Sequence, residues 1–226
     1  MKKAFTMIEL VFVIVVIGIL AAVILPSTKT NPVQEAAIQL VSHIRYTQHL
    51  AMIDDKFDQT DGSWYKKRWQ IVFNNTAGSN GKYGYTIFSD GIGANAGIAN
   101  TSEIAKNPQN PAQLLTGGVS SSNAELAYNH ANFPGMKKLN LGMSYGITSI
   151  TATSTCKVDP SDQNIAFDHL GRPIIGNINL NTQSYMPKNS GTSKLLEGDC
   201  IITLDNGSES VAITIKPETG YTYISG

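Results

Sequence analysis

The sharpest chemical motif in the sequence is Gly142-Met143-Ser144-Tyr145-Gly146, which fits the Gly-x-Ser-x-Gly pattern of a nucleophile elbow. Such an elbow lifts a serine out of a strand-to-helix turn, beside a histidine and an acid. Here positions 147–150 continue as a β-type run, and His169 is the only histidine that follows. Ser144 therefore reads as an ordinary strand or turn residue, and no catalysis is expected. A second candidate is the run Lys66-Lys67-Arg68 between Trp64, Tyr65 and Trp69, a composition that can hold phosphate and stack bases. Strand alternation would divide these side chains between two faces, so an edge strand protected by lysines is the better reading, and DNA contact is secondary. Asp54, Asp55, Asp58 and Asp61-Gly62 sit close together, but their spacing departs from a calcium loop and no Glu closes it; acidic caps and turns are expected instead. No cofactor and no metal is implied. The remaining group with chemical potential is Glu9, a lone carboxylate in an apolar run.

The whole chain limits what these groups can do. Its 226 residues carry 17 Lys+Arg and 17 Asp+Glu, a formal net charge of zero, so overall attraction to nucleic acid is excluded. With 42% apolar and 15% charged residues the chain is rich enough to build a core, and wholesale disorder is excluded too.

Positions 5–25 contain Glu9 as their sole charge and no Pro, and Ile, Val and Leu dominate from Leu10 onward. As a helix this segment would rise roughly 31 Å, about one hydrocarbon core. Lys2 and Lys3, followed by an apolar stretch and by Ala21 and Ala22, also suit a secretory signal peptide. The length of the stretch and the carboxylate at position 9 argue for a retained span, with the start cytoplasmic and the rest outside. Glu9 then demands a partner.

The run Ala4-Phe5-Thr6-Met7-Ile8-Glu9-Leu10 resembles the cleavage and methylation motif of type IV prepilins and type II secretion pseudopilins. That resemblance implies a leader over 1–4, cleavage between Ala4 and Phe5 by a prepilin peptidase that also methylates the new amine, and a helix over 5–25 that is kept for assembly. Ala4 departs from the glycine the family usually has before the cut. The resemblance further implies that Glu9 meets the terminal amine of a neighbouring subunit. Such a pair recovers the cost of two isolated charges in low dielectric and sets register more than strength. It also implies that the stretch between Gly18 and Pro26 can melt in a filament. The implied partners are other pilin or pseudopilin subunits, the peptidase/methyltransferase, the membrane and an inner-membrane assembly platform. The implied placement is a single pass in the inner membrane with the globular domain in the periplasm, then a filament that can reach the cell surface.

Pro26 ends or kinks the first helix. Asn31-Pro32 with Glu35 reads as a new helix start, and Val33, Ala37, Leu40, Val41, Ile44 and Ala51 form a buried stripe in an amphipathic helix over 32–54. Gln34, Glu35, Gln39, Ser42, Arg45, Gln48 and His49 fall on its other face. Beyond Gly62 the signals turn to strands: 69–73 and 83–88 as a hairpin, then 139–150, 165–167, 174–180, 200–204 and 210–215, the last two around the turn Asp205-Asn206-Gly207. Positions 91–118 read as a surface loop with at most one helical turn. The expected fold is α+β: a long N-terminal helix, half transmembrane and half amphipathic, packed on an antiparallel sheet domain that completes a globular region over 26–226.

The run Ile165-Ala166-Phe167-Asp168-His169-Leu170-Gly171-Arg172-Pro173 and the ending Ile213-Thr214-Ile215 with Thr219-Gly220-Tyr221 are similar to the globular part of minor pilins and minor pseudopilins. Cys156 and Cys200 are the only cysteines; an outside compartment permits a disulfide between them, worth about 4 kcal/mol if unstrained, with two free thiols as the alternative. The expected function is a structural, minor subunit of a type IV pilus or secretion pseudopilus. A DNA-uptake pilin or a membrane-anchored secreted enzyme are the competing readings.

Overall fold

The computed structural model describes residues 6–24, 31–91, 97–157 and 164–225, and the chain falls into two compact units, Met1–Asn31 and Pro32–Gly226. The first contains helix α1 (Met7–Ile24), acidic only at Glu9 in its first turn. From Met7 to Leu20 every large apolar side chain of α1 is exposed, because the sequence is apolar on all sides rather than along one stripe. Among the described residues no helix is long and apolar enough to cross a membrane. This corrects the expected transmembrane half over 5–25, and with it the single-pass inner-membrane placement and the periplasmic domain. The reason is length: the helix begins at Met7, and 18 residues rise about 27 Å, short of a hydrocarbon core of about 30 Å. Gly18 lies inside the unbroken helix, where an added Cβ would meet nothing. Ala4, Phe5 and Pro26, the positions of the expected cut and kink, lie outside the described residues.

The second unit is α+β. Helix α2 (Pro32–Ile53) begins at a proline, which costs nothing in a first turn whose N–H groups lack helical partners. It buries Val33, Ala36, Ala37, Leu40, Val41, Ile44, Thr47 and Ala51. The strands are β1 (Trp69–Asn74), β2 (Gly84–Ser89), β3 (Lys106–Asn107), β4 (Asn110–Leu114), β5 (Ser149–Ala152), β6 (Asn164–Phe167), β7 (Pro173–Gly176), β8 (Ser193–Leu195), β9 (Cys200–Asp205), β10 (Ser210–Ile215) and β11 (Thr222–Ile224). They form a five-stranded sheet ordered β2-β1-β6-β7-β8, a four-stranded sheet ordered β11-β10-β9-β5, and the small β3-β4 pair. All of these strand pairings are antiparallel.

Helix α2 packs against both larger sheets. Its stripe meets Ile71, Ile87, Phe167 and Ile175 from one, and Ile202, Leu204, Ile213 and Ile215 from the other, in a single apolar cluster. Two smaller clusters lie on the opposite face of the five-stranded sheet.

Three strand-level expectations are corrected. Positions 139–150 are not one strand: Asn140 caps a short helix α3 (Leu141–Tyr145) by accepting from the Met143 N–H, Gly146 ends it at φ 71°, and only Ser149–Ala152 is extended. Local side-chain capping outcompetes the strand there. Positions 91–118 are not only surface loop. They supply β3, β4 and the buried Ile104, Leu114 and Leu115, tied to β2 by Ala105 N–H to Ile87 O and Ile87 N–H to Leu115 O. The strand at 174–180 stops at Gly176 (φ 91°), and Asn177 then caps a 3-10 turn.

Ile44 is wholly buried at the junction of α2 and the two sheets. Ile44→Ala is expected to lower unfolding stability by about 3 kcal/mol, measured by chemical denaturation; a loss under about 1 kcal/mol would mean that the core does not close over α2.

Candidate functional site

Two places combine sequence signal with structure: the helix that carries Glu9, and a pair of turns gathered by α2. On α1, Glu9 is exposed and its N–H donates to Thr6 O at 3.1 Å, so it belongs to the first helical turn. Among the described residues no cation pairs with its carboxylate.

The paired turns are built by the two downstream motifs. β6 runs into Asp168-His169-Leu170-Gly171-Arg172 and returns as β7; β10 runs into Pro217-Glu218-Thr219-Gly220-Tyr221 and returns as β11. The side-chain amide of Gln48 on α2 donates to Gly171 O at 2.8 Å and to Thr219 O at 2.7 Å, joining the turns. One turn earlier Arg45 donates to Thr222 O through Nε at 3.0 Å and Nη2 at 2.6 Å, with its guanidinium 5.6 Å from the Tyr221 ring centre. Both glycines have positive φ, 79° at Gly171 and 62° at Gly220. A Cβ on Gly220 would stand 2.5 Å from the Gln48 amide and 2.6 Å from Gly171 O. The sequence puts Arg45 and Gln48 on the solvent side of α2, where Arg45 is exposed and Gln48 half-buried; that both donate to backbone carbonyls of these turns is what no side-chain periodicity could signal.

Within the first turn, Asp168 is fully buried and caged. Its Oδ1 accepts from the N–H groups of Leu170 and Arg172, and its Oδ2 from Arg172 Nε at 2.8 Å and Tyr185 OH at 2.9 Å. Burial alone would raise its pKa. The hydrogen bonds from Arg172 and Tyr185 outweigh that and hold the carboxyl below its ordinary range, so it stays charged. The cage fixes the Gly-Arg-Pro turn rather than presenting a reactive acid.

The basic cluster dissolves on folding. Trp64–Lys67 is a 3-10 turn, not an edge strand, and the strand that follows is internal to its sheet. Arg68 is 4% exposed, lies 5.1 Å from the Trp64 ring centre and 4.7 Å from that of Tyr185, and donates to Ser184 O. Lys67 pairs with Asp61 at 2.7 Å; that bond, with those from Ser63, pulls the Asp61 carboxyl down to about 2. No continuous basic patch with stacking faces remains there. Ser144 lies inside the short helix α3, with its hydroxyl donating to Lys137 O, and is no elbow serine. Asp55, Asp58 and Asp61 accept from nearby backbone N–H groups as turn caps, and Asp54 accepts from Trp69 Nε1 and pairs with Lys56. Among the described residues no three potential ligands gather to hold a metal. Cys156 and Cys200 form a disulfide with Cα atoms 4.8 Å apart, linking a 3-10 turn after β5 to the first residue of β9.

Beside the other end of α2, Gln39 Nε2 donates to Tyr85 OH at 3.0 Å, and Tyr85 OH lies 2.7 Å from His43 Nδ1. Either the Tyr85 hydroxyl or a protonated His43 Nδ1 donates in this contact, according to the imidazole tautomer. Burial lowers the His43 pKa to about 4 and pushes the Tyr85 hydroxyl upward.

No family model, no curated protein and no solved structure matches this chain.

Gly220→Ala is expected to cost about 2–4 kcal/mol in denaturant unfolding, because positive φ and the Gln48 contact are lost together; Gln48→Ala in the same background should recover part of the loss. For His43 the folded pKa lies below the unfolded one, so the unfolded state takes up the proton first. Stability should fall as pH drops from about 6.5 to about 4, by up to about 3 kcal/mol, and level off below. His43→Gln should remove that component from stability measured against pH.

Proposed function

We propose that this chain is a structural subunit, of the minor class, in a filament of the type IV pilus or type II secretion pseudopilus kind. A peptidase of the prepilin type cuts it before Phe5 and methylates the new amine, and copies then associate through α1. The observation that carries this reading is the exposure of every large apolar side chain of α1 from Met7 to Leu20 around a single carboxylate. Apolar surface on all sides of a helix is stable only when other chains or another apolar phase cover it. Glu9 then selects the register in which a cationic terminal amine of a neighbour faces it, because any other register leaves both charges unpaired. The sequence run from Ala4 to Leu10 supports the same reading. The disulfide and the caged Asp168 turn support a role as a rigid body carried on the helix. DNA contact and catalysis lack such support, since Arg68 is buried and Lys67 is paired.

Two measurements test it. Mass spectrometry of the N-terminal peptide from cells should give a methylated chain starting at Phe5; a start downstream of Leu25 would remove α1 and defeat the proposal. Glu9→Ala should be produced normally yet fall at least about tenfold in sheared filaments, and normal incorporation would refute the register role.

A further inference from the structure

The face of the five-stranded sheet turned away from α2 is covered by two separate pieces of chain. Over β1 and β2, residues 97–126 bring Ala99, Ile104, Leu114 and Leu126 onto Phe88, with Val72 packed against them. Over β6 and β7, Ile178 joins Ala166 and Ile174, with Tyr185 against them. The two clusters share no residue. Between them runs β1, whose alternate residues Gln70, Val72 and Asn74 project to this face, with Arg68 just before the strand. Gln70 stands opposite Phe88 on one side and Ala166 on the other, on the line where the covers meet.

Buried side-chain atoms without a hydrogen-bonding partner concentrate along that line. They are Nε and Nη2 of Arg68, both amide atoms of Gln70 and of Asn74, and Oδ1 of Asn179; no other described residue contributes one. Gln70 is 0% exposed and Asn179 is 7% exposed. Asn179 reaches across to the other cover, since a Cβ on Gly97 would lie 2.9 Å from its amide nitrogen. A carboxamide hydrogen-bonded to water loses those bonds when it is covered without a replacement, so closing this face works against itself.

The covers are held unequally. Residues 97–126 are stitched to β2 by backbone hydrogen bonds, among them Ala105 N–H to Ile87 O, Ile87 N–H to Leu115 O, Ser89 N–H to Glu103 O and Gly117 N–H to Tyr85 O. Residues 178–187 are tied through side chains: Tyr65 OH to Asn181 O at 3.4 Å, Arg68 Nη1 to Ser184 O at 2.6 Å, Tyr185 OH to Asp168 and Arg172 Nη2 to Tyr185 OH, and the Asn181 amide to the Ser193 and Thr192 hydroxyls at the start of β8. Ile178 is the large apolar side chain of that segment that is fully buried, whereas Leu180 is 61% exposed.

We infer that this face is a seam: residues 178–187 open along β1 as a unit while both larger sheets stay folded, uncovering Ala166, Ile174 and the polar row on β1. Opening gives the Gln70 and Asn179 amides to water and gives up one buried isoleucine and the side-chain bonds of Asn181, Ser184 and Tyr185, while Arg172 still pairs with Asp168; with no strand ladder to break, the segment ranks below the sheets in local stability.

Native-state hydrogen exchange on the full chain, read by mass spectrometry, tests it. In wild type the amides of 178–187 should exchange at least about tenfold faster than those of β6 and β9. Gln70→Leu should slow the 178–187 exchange by about tenfold, because its closed state no longer buries an unpaired amide. Equal rates for 178–187 and β6 in wild type would overturn the inference. So would faster exchange in Gln70→Leu, which would mean that the closed state satisfies the amide. If that variant does not fold, Ile178→Ala serves: it should accelerate 178–187 alone, and uniform acceleration across the domain would overturn the inference.

Discussion

The second unit depends on one constraint: α2 must bury an unbroken apolar stripe, and it does so against two sheets at once. Residues from β1, β6 and β7 and from β9 and β10 close over Leu40 and Ile44 in one cluster, so the core that the two sheets share is built around the helix. Burial of this stripe is worth far more than any single polar contact, at roughly 25 cal/mol for each Å² removed from water. The polar contacts then decide orientation. Arg45 and Gln48 reach from the flank of the stripe to carbonyls in both motif turns, and Gln39 and His43 reach Tyr85 farther along the helix. The helix is therefore fixed along its length, not merely pressed against a surface.

The two glycine turns gain a meaning from this arrangement that neither has alone. Gly171 and Gly220 come from segments far apart in the chain, yet both have positive φ and both lie against the Gln48 amide, and a Cβ on Gly220 would also meet Gly171 O. Asp168 supports that meeting point from beneath, its charge held by Arg172 and Tyr185. Such a buried, fully bonded carboxylate specifies one turn geometry, and removing a partner would leave an uncompensated charge. The disulfide acts at a different place, between the end of β5 and the start of β9, where it constrains the long connection carrying β6, β7 and β8.

The apolar first helix and the globular unit embody opposite solutions to the same hydrophobic problem. α2 concentrates its apolar residues on one side and finds cover within its own chain. α1 spreads them on every side, and from Met7 to Leu20 they are exposed. The expectation that α1 spans a membrane failed because no described helix is long and apolar enough to cross one.

The sequence by itself determined what local chemistry controls. The α2 stripe, the β1–β2 hairpin, the Asn-Gly turn between β9 and β10 and the pairing of the only two cysteines were legible, because periodicity, turn residues and a count of two carry those signals. Tertiary structure alone decided the rest. It buried Arg68 against Tyr185, joined Gln48 to two loops, and drew the run at 104–115 onto β2. Each of these rests on a partner tens of residues away, and a chain read locally holds no record of which distant carbonyl or ring will be there to receive a side chain.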